Sequence, residues 1–270
     1  MSDTTKRKTN VLFSHRVEFP PLQMRRDIVS WWSPRLHKNM ELVAYGHYGF
    51  ALLLFPSAAA DYLEYERFYL IEAIRPFIEQ GVVKVYSINS INSESWLNSR
   101  MHPRDKALRH QQYNAYVAEE VVPFIWNDCR GRVPIITSGV SLGAYHAANS
   151  FFRRPDIFEG TIAMSGTYDL SWYTDGYWDD NCYFNSPVHY LPNLNDQYWL
   201  PLLQSKRHIY FMTGQGPYEH PESSIRMGHI LGAKGIPNYV DIWGPEYMHD
   251  WPTWRAMLPS ALERWFHNGV

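Results

Sequence analysis

Residues 133–152 read VPIITSGVSLGAYHAANSFF. The first five, 133–137, are apolar and of strand length. Residues 142–152 carry helix-forming spacing. Between them lies only Gly139-Val140-Ser141-Leu142-Gly143. A strand that passes into a helix through so short a turn is the repeating unit of a parallel sheet. Glycines on both sides of Ser141 let other backbone come close to the turn.

The pattern extends in both directions. Upstream, FALLLF (Phe50–Phe55) is a continuous apolar run, which predicts a strand buried on both faces. Residues 16–19, 25–32 and 40–45 are strand-like, and 46–49 read as a turn. Helical spacing predicts a helix over 65–80 ended by Gly81, a strand over 82–88 and a helix over 110–126. Downstream, 158–164, 208–212 and 239–243 are strand-like, and 223–233 and 254–267 helical. Strands alternating with helices predict an α/β fold, with a mostly parallel central sheet covered by helices on both faces. There is no repeat and no long linker. A single domain over 11–270 is expected, with 1–10 as a mobile tail and an aromatic insert near 166–200.

Composition excludes several classes of function. The 270 residues are 45% apolar and 19% charged, with a net charge of −2. A chain of that length buries about three-quarters of its unfolded surface and needs no staple. No basic excess is present to neutralise phosphates, so no nucleic-acid partner is expected. Cys129 and Cys182 cannot form a disulfide framework or a four-thiolate zinc site. No H-E-x-x-H and no Walker loop occurs, and Glu219 replaces the third glycine of a dinucleotide fingerprint begun at Gly214 and Gly216. No metal and no cofactor is therefore expected. The polar start MSDTTKRKTN has no apolar stretch of signal-peptide type, and the longest apolar run is far too short to span a membrane. A cytoplasmic protein with no membrane partner is the expectation.

The chemistry centres on Ser141. A sharp strand-to-helix turn holds such a serine in a strained conformation with its hydroxyl above the sheet edge. The helix N-terminus favours developing negative charge, and the Leu142 amide points to where an oxyanion would form. A serine needs a base. Of twelve histidines, His249 follows the last strand-like run and precedes a helix, where a Ser–acid–His chain order puts the imidazole. His146, five residues past Ser141 on the same helix, points away from it.

GVSLGAYHAA, FEGTIAMSGTYDL and MHDWPTWRAMLPSAL resemble the esterase branch of the α/β-hydrolase superfamily. That branch holds S-formylglutathione hydrolases, feruloyl esterases and mycobacterial mycolyltransferases. The resemblance covers the chain from about Phe50 onward. It implies an α/β-hydrolase fold and acyl chemistry by a Ser-acid-His triad without a cofactor. It also implies a second oxyanion donor in the loop after the third strand, Phe55-Pro56-Ser57-Ala58-Ala59-Ala60-Asp61. Pro56 has no amide hydrogen, so Ser57 or Ala58 must donate, with Ser57 preferred. The acid must follow a strand and precede His249. Asp241, Glu246, Asp250, Glu222 and Glu219 are the candidates. Glu219 is preferred, because it ends the Gly214–Gly216 turn after a strand and a Glu in this role is matched in the mycolyltransferase relatives.

Residues 166–185, GTYDLSWYTDGYWDDNCYFN, are rich in aromatics. They form either a substrate-binding wall, led by Trp172, Tyr177 and Trp178, or an excursion packed on itself. Asp175, Asp179 and Asp180 read as a solvated acidic loop rather than a calcium site. The expected activity is a serine esterase acting on a small-molecule or polymeric ester. The alternatives are an acyltransferase of the same fold and a non-catalytic binding protein on it. Oligomeric state is not expressed in the sequence.

Overall fold

The computed structural model describes residues 24–267. The expected tail at 1–10 and the strand expected at 16–19 lie outside the described residues. Eight strands form one sheet: β1 (Arg26–Ser33), β2 (Lys38–Tyr45), β3 (Phe50–Phe55), β4 (Val83–Ile88), β5 (Ile135–Val140), β6 (Gly160–Met164), β7 (His208–Thr213) and β8 (Tyr239–Ile242). Their order is β1-β2-β4-β3-β5-β6-β7-β8. β1 pairs antiparallel with β2, and β2 with β4. Every later pairing is parallel. The chain thus reverses direction of travel across the sheet between β4 and β5, and loops at the carboxyl ends of the strands converge there.

The FALLLF run behaves as its composition demands. Ala51, Leu53 and Phe55 enter the core on one face of the sheet, and Leu52 and Leu54 enter the core on the other. The first face is covered by the helices Pro103–Tyr116 and Leu142–Arg153, the second by the helix Trp251–His267 and three short helices after β3. That two-sided burial of period two is the main hydrophobic driving force for the central strands.

Three expectations need correction. The helix expected over 65–80 is broken into Glu64–Arg67, Leu70–Ala73 and Arg75–Glu79. Tyr69 sits at φ 61, outside helical space, and Pro76 opens the third piece. The helix expected from 110 starts at Pro103, with His102 as its cap: the ring Nδ1 accepts from the Arg104 amide at 3.2 Å. It runs into a wider turn at Val117–Val121 before Val122–Asp128. The last helix starts at Trp251 rather than 254 and tolerates Pro259.

Candidate active site

Ser141 stands between β5 and the helix Leu142–Arg153 at φ 56, ψ −122, a conformation rare for a residue with a side chain. The two glycines make the turn possible. A Cβ on Gly139 would lie 2.3 Å from the Gly143 carbonyl, and one on Gly143 would lie 2.1 Å from the Phe55 carbonyl oxygen. The serine turn is therefore pressed against the carboxyl end of β3. The Tyr65 hydroxyl ties the two together, donating to the Phe55 carbonyl at 2.5 Å and accepting from the Val140 amide at 3.2 Å. No side chain caps the helix, and the amides of Leu142 and Gly143 meet no acceptor among the described residues. That leaves two donors at a positive helix end.

His249 reaches Ser141 across 108 residues of chain, with Nε2 2.9 Å from Oγ. Its loop is pinned by backbone bonds. His249 N–H donates to the Pro217 carbonyl at 3.0 Å, and Gly216 N–H to that of Tyr247 at 2.9 Å. The same contacts place Glu219 behind the ring. Its Oε2 is 3.5 Å from His249 Nδ1, an ion-pair separation with no hydrogen bond yet closed. The carboxylate is wholly buried and accepts from Ser165 Oγ at 2.6 Å and Thr213 Oγ1 at 3.0 Å. Burial pushes this carboxyl up, but the facing His249 and the two hydroxyls outweigh burial and hold it below the ordinary range. Trp254 completes the support: its Nε1 donates to Ser165 Oγ at 2.9 Å, and its ring meets His249 edge-on at 5.1 Å. The spacing His249, Trp251, Trp254 thus has a local use.

The other acid candidates are engaged elsewhere. Glu222 is exposed and pairs with His220 at 3.2 Å. Asp241 pairs with Arg264 at 2.7 Å and accepts from Trp243 Nε1. Asp250 accepts from the Trp251 amide. The Glu246 carboxylate lies against Gly244.

Ser57 is not available as an oxyanion donor. Its amide donates to Glu64 Oε2 at 2.7 Å and its hydroxyl to Oε1 at 2.5 Å, so both its donors are consumed. The next amide, that of Ala58, meets no acceptor among the described residues. Ala58 sits at φ 36 in a turn closed by Ala60 N–H to the Ser57 carbonyl at 3.0 Å. That bond turns the Ser57 carbonyl into the loop and the Ala58 amide, on the opposite side of the same peptide, out of it.

The three aromatics expected as a wall do not share one cleft. Trp172, 78% exposed, lines a cavity of about 420 Å³ with Thr167, Asp169, Tyr173, His220 and Arg226. Tyr177 packs on a buried cluster of Trp96, Leu142, Tyr145 and Leu170 and bonds Asp179 through its hydroxyl. Trp178 lies against His189, with ring centroids 4.6 Å apart. The insert is packed on the body of the protein at Tyr177 and open at Trp172. Asp179 caps the helix Asp180–Tyr183, and among the described residues no group of three or more His, Cys, Asp or Glu side chains could hold a metal ion. Both cysteines are free. No described helix is long and apolar enough to cross a membrane.

A mostly parallel eight-stranded sheet flanked by helices, with a serine on the turn after β5, defines an α/β-hydrolase. Solved structures agree in fold. A ferulic acid esterase superposes with a TM-score of 0.68 at 17% identity, over 89% of this chain and 96% of that one. An S-formylglutathione hydrolase from Agrobacterium tumefaciens gives 0.66 at 13% identity, over 90% and 98%. A fluorophosphonate-binding serine hydrolase of Staphylococcus aureus, substrate bound, gives 0.59 at 16% identity, over 89% and 98%. No curated protein matches the chain. The family described as "Putative esterase" matches residues 81–265. The chain belongs to that family and is a hydrolase of the esterase class.

Proposed function

We propose that the protein is a serine esterase that cleaves a carboxylic ester through an acyl-enzyme on Ser141. The observation that carries this reading is the line Ser141 Oγ, His249 Nε2, His249 Nδ1, Glu219 Oε2, with separations of 2.9 and 3.5 Å at its two contacts. His249 takes the hydroxyl proton as Ser141 Oγ bonds the ester carbonyl carbon. The carbonyl oxygen becomes an oxyanion held by the amides of Leu142 and Ala58. As the intermediate collapses, the carbon–oxygen bond to the alcohol breaks, and His249 gives that alcohol its proton. Water then attacks the acyl-enzyme, His249 takes a water proton, and the second collapse returns it to Ser141. Glu219 holds the ring and supports the imidazolium. The Trp172 cavity, whose lining includes His220 next to Glu219, is the candidate subsite for part of the ester.

The test is a serine-directed fluorophosphonate together with Ser141→Ala. The probe is expected to label Ser141, and the folded variant to lose several powers of ten in hydrolysis of p-nitrophenyl acetate. Normal turnover by the variant, or labelling only at another serine, refutes the assignment.

A further inference from the structure

We propose that Asn92, fixed in orientation by His146, is a positioning residue for the oxyanion loop, holding the Ala58 segment so that its free amide faces Ser141. The inference rests on the serine-esterase reading above.

The loops after β3 and β4 and the helix after β5 meet here. Asn92 opens the short turn Asn92–Glu94 that follows β4. Its Nδ2 donates to the Ala58 carbonyl, and its Oδ1 lies 2.6 Å from His146 Nε2. The directions of these bonds are forced. A carbonyl oxygen only accepts, so Asn92 must present its NH₂ to Ala58. Its oxygen then faces His146, so His146 Nε2 must carry the proton. His146 Nδ1 is buried and unpartnered, as an unprotonated ring nitrogen would be. Burial pushes the His146 imidazole down to about 3, so the ring stays neutral and the relay keeps its sense at physiological pH. Asn92 is 1% exposed and His146 is 2% exposed, so water does not compete for these bonds.

This relay acts where the backbone is strained. A residue with a side chain at φ 36 returns to common conformations unless its neighbours hold it. Glu64 holds the Ser57 side of the turn, Ser90 Oγ donates to the Ala60 carbonyl at 2.7 Å, and Asn92 holds the peptide between. His146 and Ser141 lie on the same turn-and-helix unit. The relay therefore references the loop's donor to the element that carries the nucleophile.

The test compares Asn92→Ala and Asn92→Asp with the unaltered enzyme on matched oxo- and thionoesters. Asn92→Asp preserves size but presents only acceptors to Ala58 at neutral pH, so it reads the bond if the Ala variant does not fold. Sulfur is larger and a weaker acceptor than oxygen, so a well-set oxyanion hole prefers the oxoester. Loss of positioning is expected to lower kcat by about 10- to 100-fold, less than the loss of a whole donor, with KM nearly constant. The oxo/thiono rate ratio is expected to narrow. A folded variant with a lowered Tm, unchanged kcat and unchanged ratio overturns the inference and leaves Asn92 a packing residue. If Ser141→Ala also keeps activity, the serine-esterase reading fails; if Ser141→Ala is inactive, only the Asn92 role is lost.

Discussion

Replacing Glu219 by Gln tests the carboxylate alone. The amide has the same shape, and its carbonyl oxygen can still accept one of the hydroxyls of Ser165 and Thr213. What disappears is the charge. Once His249 has taken the Ser141 proton, the imidazolium faces a wholly buried carboxylate 3.5 Å away. At that separation and an effective dielectric of about 20, two unit charges attract by about 5 kcal/mol. The attraction exists only after the proton has moved, so it lowers the barrier and not the energy of the bound substrate. About 5 kcal/mol corresponds to a loss of about 10³–10⁴ in kcat, with KM little changed. Steady-state hydrolysis of p-nitrophenyl acetate reads both constants, and a circular-dichroism melt checks the fold. Glu222→Gln serves as the parallel variant. Because Glu222 is exposed, pairs with His220 and lines the Trp172 cavity rather than the far side of His249, kcat of this variant is expected to stay within about twofold, any change falling in KM. A Glu219→Gln enzyme within tenfold of the parent, or one whose defect lies in KM, refutes the electrostatic argument. A large loss in Glu222→Gln instead moves the role there.

Asp128→Asn is expected to destabilise the fold by about 3–5 kcal/mol in urea unfolding, because it removes the negative charge that faces a buried lysine and leaves Lys84 with neutral acceptors, among them the Asp128 backbone carbonyl at 3.0 Å. Lys84, whose side chain is 3% exposed, lies 2.7 Å from Asp128, which also binds Arg25 at 2.9 Å and Tyr86 at 2.8 Å. Burial raises the Asp128 carboxyl, but those three partners outweigh it and bring it from 3.8 to about 2. A depressed acid contributes stability above its unfolded value and loses it as pH falls through the folded one. The parent should therefore lose stability from about pH 4 down through about pH 2 more steeply than the variant; parallel slopes contradict this. Trp172→Ala is expected to leave stability within about 0.5 kcal/mol, since the ring is exposed, while raising KM for aryl esters severalfold. A lowered Tm with unchanged KM would mean that the ring serves packing instead.

The half of the site that was legible in the sequence is the half decided by near neighbours and chain order. Gly139 and Gly143 flank Ser141, and the strand and helix on either side leave only one way to turn. His249 and Glu219 follow from where β8 and β7 end. The helix start at Pro103 left a readable signal, proline at the first helical position, but its cap is a histidine rather than the usual Ser, Thr, Asp or Asn, and the polar first turns hide the periodicity. The oxyanion loop left no such signal. Ser57 and Ala58 are equivalent as backbone donors until Glu64, the first residue of the short helix Glu64–Arg67, is folded back onto the loop to take the Ser57 amide. Asn92 sits in INSINSES, a composition that reads as an ordinary turn. Its meaning comes from His146, 54 residues away, and from an alanine held at φ 36 where glycine would have announced the strain. A strained alanine is costly unless several partners agree on its position, and the segments after β3 and β4, with the helix after β5, supply them here. The proposed second donor is thus a property of the assembled strand ends and not of any one stretch of chain.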